Sequence, residues 1–267
     1  MYNFNYHRPA TLAEAKTLLA NHAEAKLLAG GMTLLPTLKM RLAQPSDLID
    51  LAAARELSGI QQQGERIVIG ALTTHYEVAT SSIVQNAIPA LAALAGGIGD
   101  PQVRYRGTLG GSIANNDPAA DYPAAVVGLD ATVITTRGGV EADRFFTGMF
   151  ETTLADDELI THVSFPIPER AAYAKFPNPA SRYAMVGVMV AQTSSGVRVA
   201  VTGAGPCVFR VPAMEQALAQ DFSSQAIEAI QVDAEGLNDD LHASPEYRAH
   251  LITVMAKRAV NTANGVH

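Results

Sequence analysis

Two glycine loops hold the residues best suited to chemistry. The first reads Lys26-Leu27-Leu28-Ala29-Gly30-Gly31-Met32-Thr33 and leads into Leu34-Leu35-Pro36. The second runs Arg106-Gly107-Thr108-Leu109-Gly110-Gly111-Ser112 and continues through Asn115-Asn116-Asp117 to Asp121-Tyr122. A double glycine permits positive φ and lets main chain approach a ligand closely. Successive amides in such a turn face one concavity and bind anions. The amides of Gly30 and Gly31 with the Thr33 hydroxyl would bind one phosphate oxygen. Thr108, Gly110, Gly111 and Ser112 would bind another from the opposite side. Ionised carboxylates at Asp117 and Asp121, beside Asn115, suit the hydroxyls of a ribityl or ribose chain. Either loop alone is also an ordinary turn, and Asn-Asn-Asp-Pro is a cap sequence in its own right. Both loops in one chain, without a competing motif, favour a dinucleotide.

Competing chemistries lack their residues. No G-x-G-x-x-G follows a strand, and no P-loop, H-E-x-x-H or G-x-S-x-G motif occurs. Cys207 is the only cysteine, which excludes an intrachain disulfide and an iron–sulfur cluster held by this chain alone. Its apolar neighbours read as those of a small buried hydrophobe. The seven histidines show no metal-ligand spacing, so the sequence assigns no metal ligand and no catalytic residue.

The elements that must position the loops follow from pattern. Thr11–Glu14 and Thr74–Glu77 are capping boxes that open helices. Lys26–Ala29 reads as a strand entering the first loop, Leu34–Leu42 as a short helix or turn, and Asp47–Leu51 as a strand. Gly59–Gln63 and Arg66–Gly70 form a hairpin about Gly64-Glu65. Ile83–Ala95 is helical with a boundary at Pro89, and Gly96–Gly111 reads as irregular. Pro123–Gly128 is helical. Ala131–Thr136 and Val140–Asp143 form a hairpin around Gly138-Gly139, and Leu159–Phe165 is a strand. The Pro166–Pro179 stretch marks the domain boundary. Beyond it, strands Tyr183–Gln192 and Val197–Thr202 precede helices at Ala213–Ala219, Ser224–Ile230 and Pro245–Asn261.

With 267 residues, 48% hydrophobic and 17% charged, the chain can bury a sizeable core. Its formal net charge of −7 lacks the basic excess of a nucleic-acid binder. The longest apolar run, Ile88–Ile98, is too short to span a membrane and contains Gly96-Gly97. The N-terminus lacks a basic region followed by an apolar one, so a cytoplasmic location is expected.

Three stretches together resemble a known family: Ala29–Leu42, Ile98-Gly99-Asp100-Pro101-Gln102-Val103-Arg104, and Arg106–Ala124. With the opening Phe4, Tyr6, Arg8 and Pro9, they are similar to the FAD-binding medium subunit of molybdenum hydroxylases, in its carbon monoxide dehydrogenase branch. Xanthine dehydrogenase carries the same module. The resemblance implies an α+β, two-subdomain FAD-binding fold of the vanillyl-alcohol-oxidase (PCMH) type, followed by a smaller C-terminal α/β domain. The expected divisions are 1–57, 58–168 and 169–267. FAD would lie between the two subdomains, with Lys26–Thr33 and Thr108–Ser112 at its pyrophosphate. Asp121 would face the ribityl or ribose part, Ile98 and Gly99 would lie near the flavin, and Leu159, Ile160 and Lys175 near the adenine or ring. Tyr183 is either a neighbour of the ring or a core strand residue.

The resemblance also implies a large molybdenum-cofactor subunit, a small subunit with two [2Fe–2S] clusters and an external electron acceptor. Covalent relatives tether FAD through a His in the first loop. Met32 in that loop implies non-covalent FAD. Ser112 stands where xanthine dehydrogenase relatives have Asn. The alternatives are a self-sufficient FAD oxidase and a nucleotide-binding or assembly protein. Thr37–Leu42, with Lys39 and Arg41, and the C-terminal domain are candidate subunit contacts.

Overall fold

The computed structural model describes residues 1–266. The chain opens with β1 (Asn5–His7), α1 (Leu12–Asn21), β2 (Lys26–Leu28), α2 (Leu34–Lys39) and β3 (Asp47–Asp50). These strands form a parallel sheet in the order β1-β3-β2. Parallel neighbours require crossovers, which the two helices supply. Thr11 caps α1 by accepting from the Glu14 amide, while Glu14 reaches back to the Ala10 amide. Ala15 and Leu19 of α1 then pack on Ile49 and Leu51. Leu159, far along the chain, completes this small core.

β4 (Ile60–Gln63) and β5 (Arg66–Gly70) form the expected hairpin. A helical excursion follows: α3 (His75–Thr80), α4 (Ser82–Ala87), α5 (Pro89–Gly96), α6 (Pro101–Arg104), α7 (Leu109–Asn115) and α8 (Tyr122–Gly128). β6 (Thr132–Thr135), β7 (Gly138–Glu141), α9 (Ala142–Phe145), β8 (Phe146–Gly148), β9 (Glu151–Thr152) and β10 (Ile160–Pro166) come next. The antiparallel sheet has the order β4-β5-β10-β6-β7. The Thr74–Glu77 capping box forms as read, and Pro89 starts α5 in its first turn.

Two readings change here. Gly96–Gly111 is not irregular. Asp100 and Thr108 cap α6 and α7, each accepting from the amide three residues on. Gly138 and Gly139 lie in β7 opposite Thr135 and Ile134, so the turn falls at Thr136-Arg137.

The final sheet contains β11 (Arg170–Pro177), β12 (Ala184–Thr193), β13 (Gly196–Thr202) and β14 (Phe209–Arg210), antiparallel in that order. α10 (Pro212–Gln220) and α11 (Pro245–Ala263) pack on it. β12 reads as one apolar run because both its faces are covered. Val186, Val188 and Val190 join the core shared with α10 and α11, whereas Met189 and Ala191 point into the core of the preceding helices.

The Pro166–Pro179 stretch contains β11, paired along its length with β12. Ser224–Ile230 is a series of turns, with bonds from Glu228 and Ile230 amides to carbonyls three residues back. Tyr183 precedes β12 and is 45% exposed, so it is not a core strand tyrosine.

Gly128 of α8 lies directly against β12. A Cβ there would stand 2.5 Å from Met189 Cγ and 2.9 Å from its Cβ. Gly128→Val is therefore expected to cost about 1–3 kcal/mol by overpacking, read as a lower urea midpoint. Gly96→Ala meets only an ordinary 3.8 Å contact with Ala79 and should leave the midpoint unchanged or higher.

Candidate cofactor site

The first loop leaves β2 and enters α2, and the second leaves α6 and enters α7. The fold presses them together. A Cβ on Gly30 would lie 1.9 Å from the Arg106 carbonyl oxygen and 2.9 Å from Gly107 Cα. A Cβ on Gly111 would sit 3.5 Å from the Ala29 methyl. Gly31 adopts φ +75°, the left-handed region that favours glycine.

The two loops are not equivalent donors. In the second, Leu109 donates to Thr73 O (3.0 Å), Gly110 to Ala71 O (2.8 Å) and Gly111 to Thr108 Oγ1 (3.1 Å). The expectation that the Gly110 and Gly111 amides face an anion is therefore corrected, because both are already bonded. Gly110 is required for packing instead, since a Cβ would meet Ala71 Cβ at 2.6 Å. In the first loop, the amides of Gly30, Gly31, Met32 and Thr33 find no acceptor among the described residues, and the Thr33 side chain does not cap α2. Gly30 and Gly31 are half-buried, where amides require partners, whereas Met32 and Thr33 are exposed to solvent. Four adjacent donors without a protein acceptor fit an anionic group such as a pyrophosphate.

The remaining expected residues are spread over several elements. Ser112 and Asn115 are half-buried on α7, close to the loop junction. Lys26, Leu27 and Leu28 form β2, with Lys26 exposed and Leu27 packed on the small core. Ile98 and Gly99 lie before α6, where both carbonyls accept from Arg104 Nη1 at 2.9 and 3.1 Å. Ile160 is a core residue of β10 and is only 8% exposed, so it offers little surface to a ligand. Asp117 caps its own turn by accepting from the Ala119 amide.

Asp121 and Lys175 were both expected at a cofactor, and the structure joins them to each other. Lys175 Nζ lies 3.0 Å from Asp121 Oδ1 and donates to the Gly97 carbonyl at 2.9 Å. Tyr173 donates to Asp121 Oδ1 at 2.5 Å. Burial pushes the Asp121 carboxyl up, against the pull of Lys175. Tyr173 was not anticipated. Its place two residues before Lys175 on one strand puts both on the same face, a signal the sequence did contain. The turn before Asp121 is held by the final sheet: Gly203 donates to Pro118 O and Thr202 Oγ1 to Ala120 O.

A cavity of about 480 Å³ lies beyond this turn. Asp117, Tyr183, Asn178 and Arg248 line it, but no residue of either glycine pair does.

His75 supports the second loop from behind. Its amide donates to Gly107 O at 2.9 Å, and a Cβ on Gly107 would lie 2.6 Å from its Nε2. Its ring packs 5.3 Å from that of Tyr122. Burial, with the Arg104 guanidinium adding to it, holds the imidazole down to about 4. The unfolded chain titrates this group near 6.5 and takes up a proton that the fold refuses. Stability therefore falls as pH drops from 6.5 towards 4, by roughly 3 kcal/mol over the whole window. In His75→Gln, the slope of unfolding free energy against pH should flatten over that range, measured by urea denaturation.

Comparison with known proteins follows the same outline. Residues 2–168 match the FAD binding domain in molybdopterin dehydrogenase, and residues 171–263 match the CO dehydrogenase flavoprotein C-terminal domain. The carbon monoxide dehydrogenase medium chain of Hydrogenophaga pseudoflava is 36% identical over 97% of this chain and 96% of its own length. The nicotine 6-hydroxylase medium subunit of Paenarthrobacter nicotinovorans is 36% identical over 96% of this chain and 95% of its own. A solved structure of carbon monoxide dehydrogenase from H. pseudoflava superimposes with TM-score 0.90 at 36% identity, covering 99% of this chain and 98% of that one. With both of its parts matched and a full-length fold shared, this chain belongs to the family of FAD-binding medium subunits of molybdenum hydroxylases.

Proposed function

We propose that this chain is the electron-transfer flavoprotein of a heterotrimeric molybdenum hydroxylase of the carbon monoxide dehydrogenase type. It takes electrons from a small [2Fe–2S] subunit and passes them to an external acceptor. A large molybdenum-cofactor subunit binds the organic substrate. Bound FAD supplies the redox chemistry, and the protein supplies position and access. The observation that supports this most directly is the first loop, whose unpartnered amides at Gly30, Gly31, Met32 and Thr33 lie beside the second loop.

In this reading residues 1–57 and 58–168 are the two FAD-binding subdomains, and 169–267 is the C-terminal domain. Lys26–Thr33 bind the pyrophosphate. Thr108, Gly110 and Gly111 act by holding the second loop against the first, and Ser112, Asn115 and Asp117 line its exit. Ile98, Gly99, Ile160, Asp121 and Lys175 shape the wall, with Asp121 and Lys175 fixing each other. FAD is held non-covalently, since Met32 offers no tethering imidazole. No side chain is assigned to catalysis.

The partner reading is supported by exposed apolar groups at the end of α2. Met40 and Leu42 are 64% and 72% exposed, next to Arg41, whose guanidinium lies 5.5 Å from the Tyr2 ring. Among the described residues no helix is long and apolar enough to cross a membrane. The relatives named for carbon monoxide and for nicotine share this scaffold, which supports placing substrate choice on another subunit.

The purified chain, incubated with FAD and desalted, should retain a flavin absorption spectrum and release FAD into an acid supernatant. Gly30→Ala forces the two loops apart and should weaken FAD binding by about tenfold or more. Gly96→Ala should bind as the parent does. Reduction of the isolated flavoprotein by a small organic substrate would point instead to a self-sufficient oxidase. Reduction only after adding the molybdenum and iron–sulfur subunits with their substrate is the expected outcome.

A further inference from the structure

Two histidines without any ligand spacing in the sequence meet one carboxylate in the fold. His7 ends β1, His22 is the residue just after α1, and Asp47 opens β3. His7 Nε2 lies 2.7 Å from Asp47 Oδ1, and His22 Nδ1 lies 3.3 Å from Asp47 Oδ2. The two rings are 5.2 Å apart. One ligand atom from each of the three residues falls within 4.8 Å of the others. Asp47 is buried, and the Ser46 hydroxyl donates to its Oδ2 at 2.7 Å. The histidine side chains stay 27% and 34% exposed, which gives an ion access from solvent.

We propose that His7, His22 and Asp47 form a binding site for a divalent transition-metal ion of the zinc or cobalt class. Two imidazoles and one carboxylate suit these ions, whereas magnesium and calcium prefer all-oxygen sets. Metal–ligand bonds near 2.1 Å in a tetrahedral site place ligand atoms roughly 3.4 Å apart. The three ligand atoms already lie within 4.8 Å of one another, so no separation needs to close by more than about 1.4 Å, a small displacement for partly exposed rings. Ser46 fixes the carboxylate, as outer-shell partners do in metal sites. Water completes the coordination.

The site is a clip. It ties the N-terminal strand and the end of α1 to β3, the central strand of the sheet whose edge strand β2 leads into the first glycine loop. An ion that binds only the folded chain raises its stability.

The test uses the untagged full chain, stripped with a chelator and titrated with Co²⁺ and then Zn²⁺. One equivalent of Co²⁺ should bind with a visible absorption band, Zn²⁺ should displace it, and the melting temperature should rise. His7→Ala and His22→Ala should each weaken binding by about tenfold or more. In the parent chain, Zn²⁺ should shift the ring ¹⁵N resonances of His7 and His22 and leave the other histidines in place. Absence of saturable binding below about 1 mM would overturn the proposal. So would binding that persists in both variants, or shifts confined to other histidines.

Discussion

A Cα can press directly onto another backbone's peptide only where no Cβ stands in the way. The meeting of Gly30 with the Arg106–Gly107 peptide is such a place, and the candidate site depends on it. The contact joins the parallel sheet to the helical excursion, so it also fixes how the first two parts of the fold meet. Gly107 carries the same constraint onward, because the buried His75 ring occupies the space of its missing Cβ. Glycine here is selected by lack of room more than by positive φ, which among these residues only Gly31 adopts.

That contact separates two tasks that look identical in the sequence. Both loops read Gly-Gly beside a hydroxyl residue. One spends its amides on Ala71, Thr73 and Thr108, and so becomes a rigid support. The other keeps its amides unpartnered and is the natural place for an anion. The difference lies in what each glycine pair faces. Gly110 packs on Ala71 at the end of β5, whereas Gly31 opens a short helix whose cap residue makes no side-chain bond.

Buried charges then tie the C-terminal sheet to the rest. Lys175 of β11 reaches Asp121 and the Gly97 carbonyl, and Tyr173 reaches Asp121 from the same strand face. Arg198 of β13 donates to Val127 O and pairs with Asp130 and Asp143. Within the C-terminal part, Arg248 of α11 donates to the Met185 and Gly203 carbonyls and to Asp240, which ties the helix to the sheet. Removing Lys175 would leave the buried Asp121 carboxylate without its cation, so this contact fixes geometry as much as it stabilises. β12 completes the junction, since it gives alternate side chains to the two cores it separates.

Much of this was legible in the chain itself. Local rules determined the capping box at Thr74–Glu77, the hairpin at Gly64-Glu65, the break at Pro89 and the two glycine loops, because each depends on residues within a few positions of one another. The motif order from Ala29 to Ala124 identified the family and its cofactor. Strand β11 was hidden by its flanking prolines, and α6 and α7 by the glycines around them, since tertiary packing outweighed local propensity at both places. Only the folded chain decided which amides are free, that Asp121 and Lys175 hold each other, and that His7, His22 and Asp47 converge. Those outcomes depend on distances between residues remote in sequence, which hydrogen-bond competition and close packing settle in three dimensions.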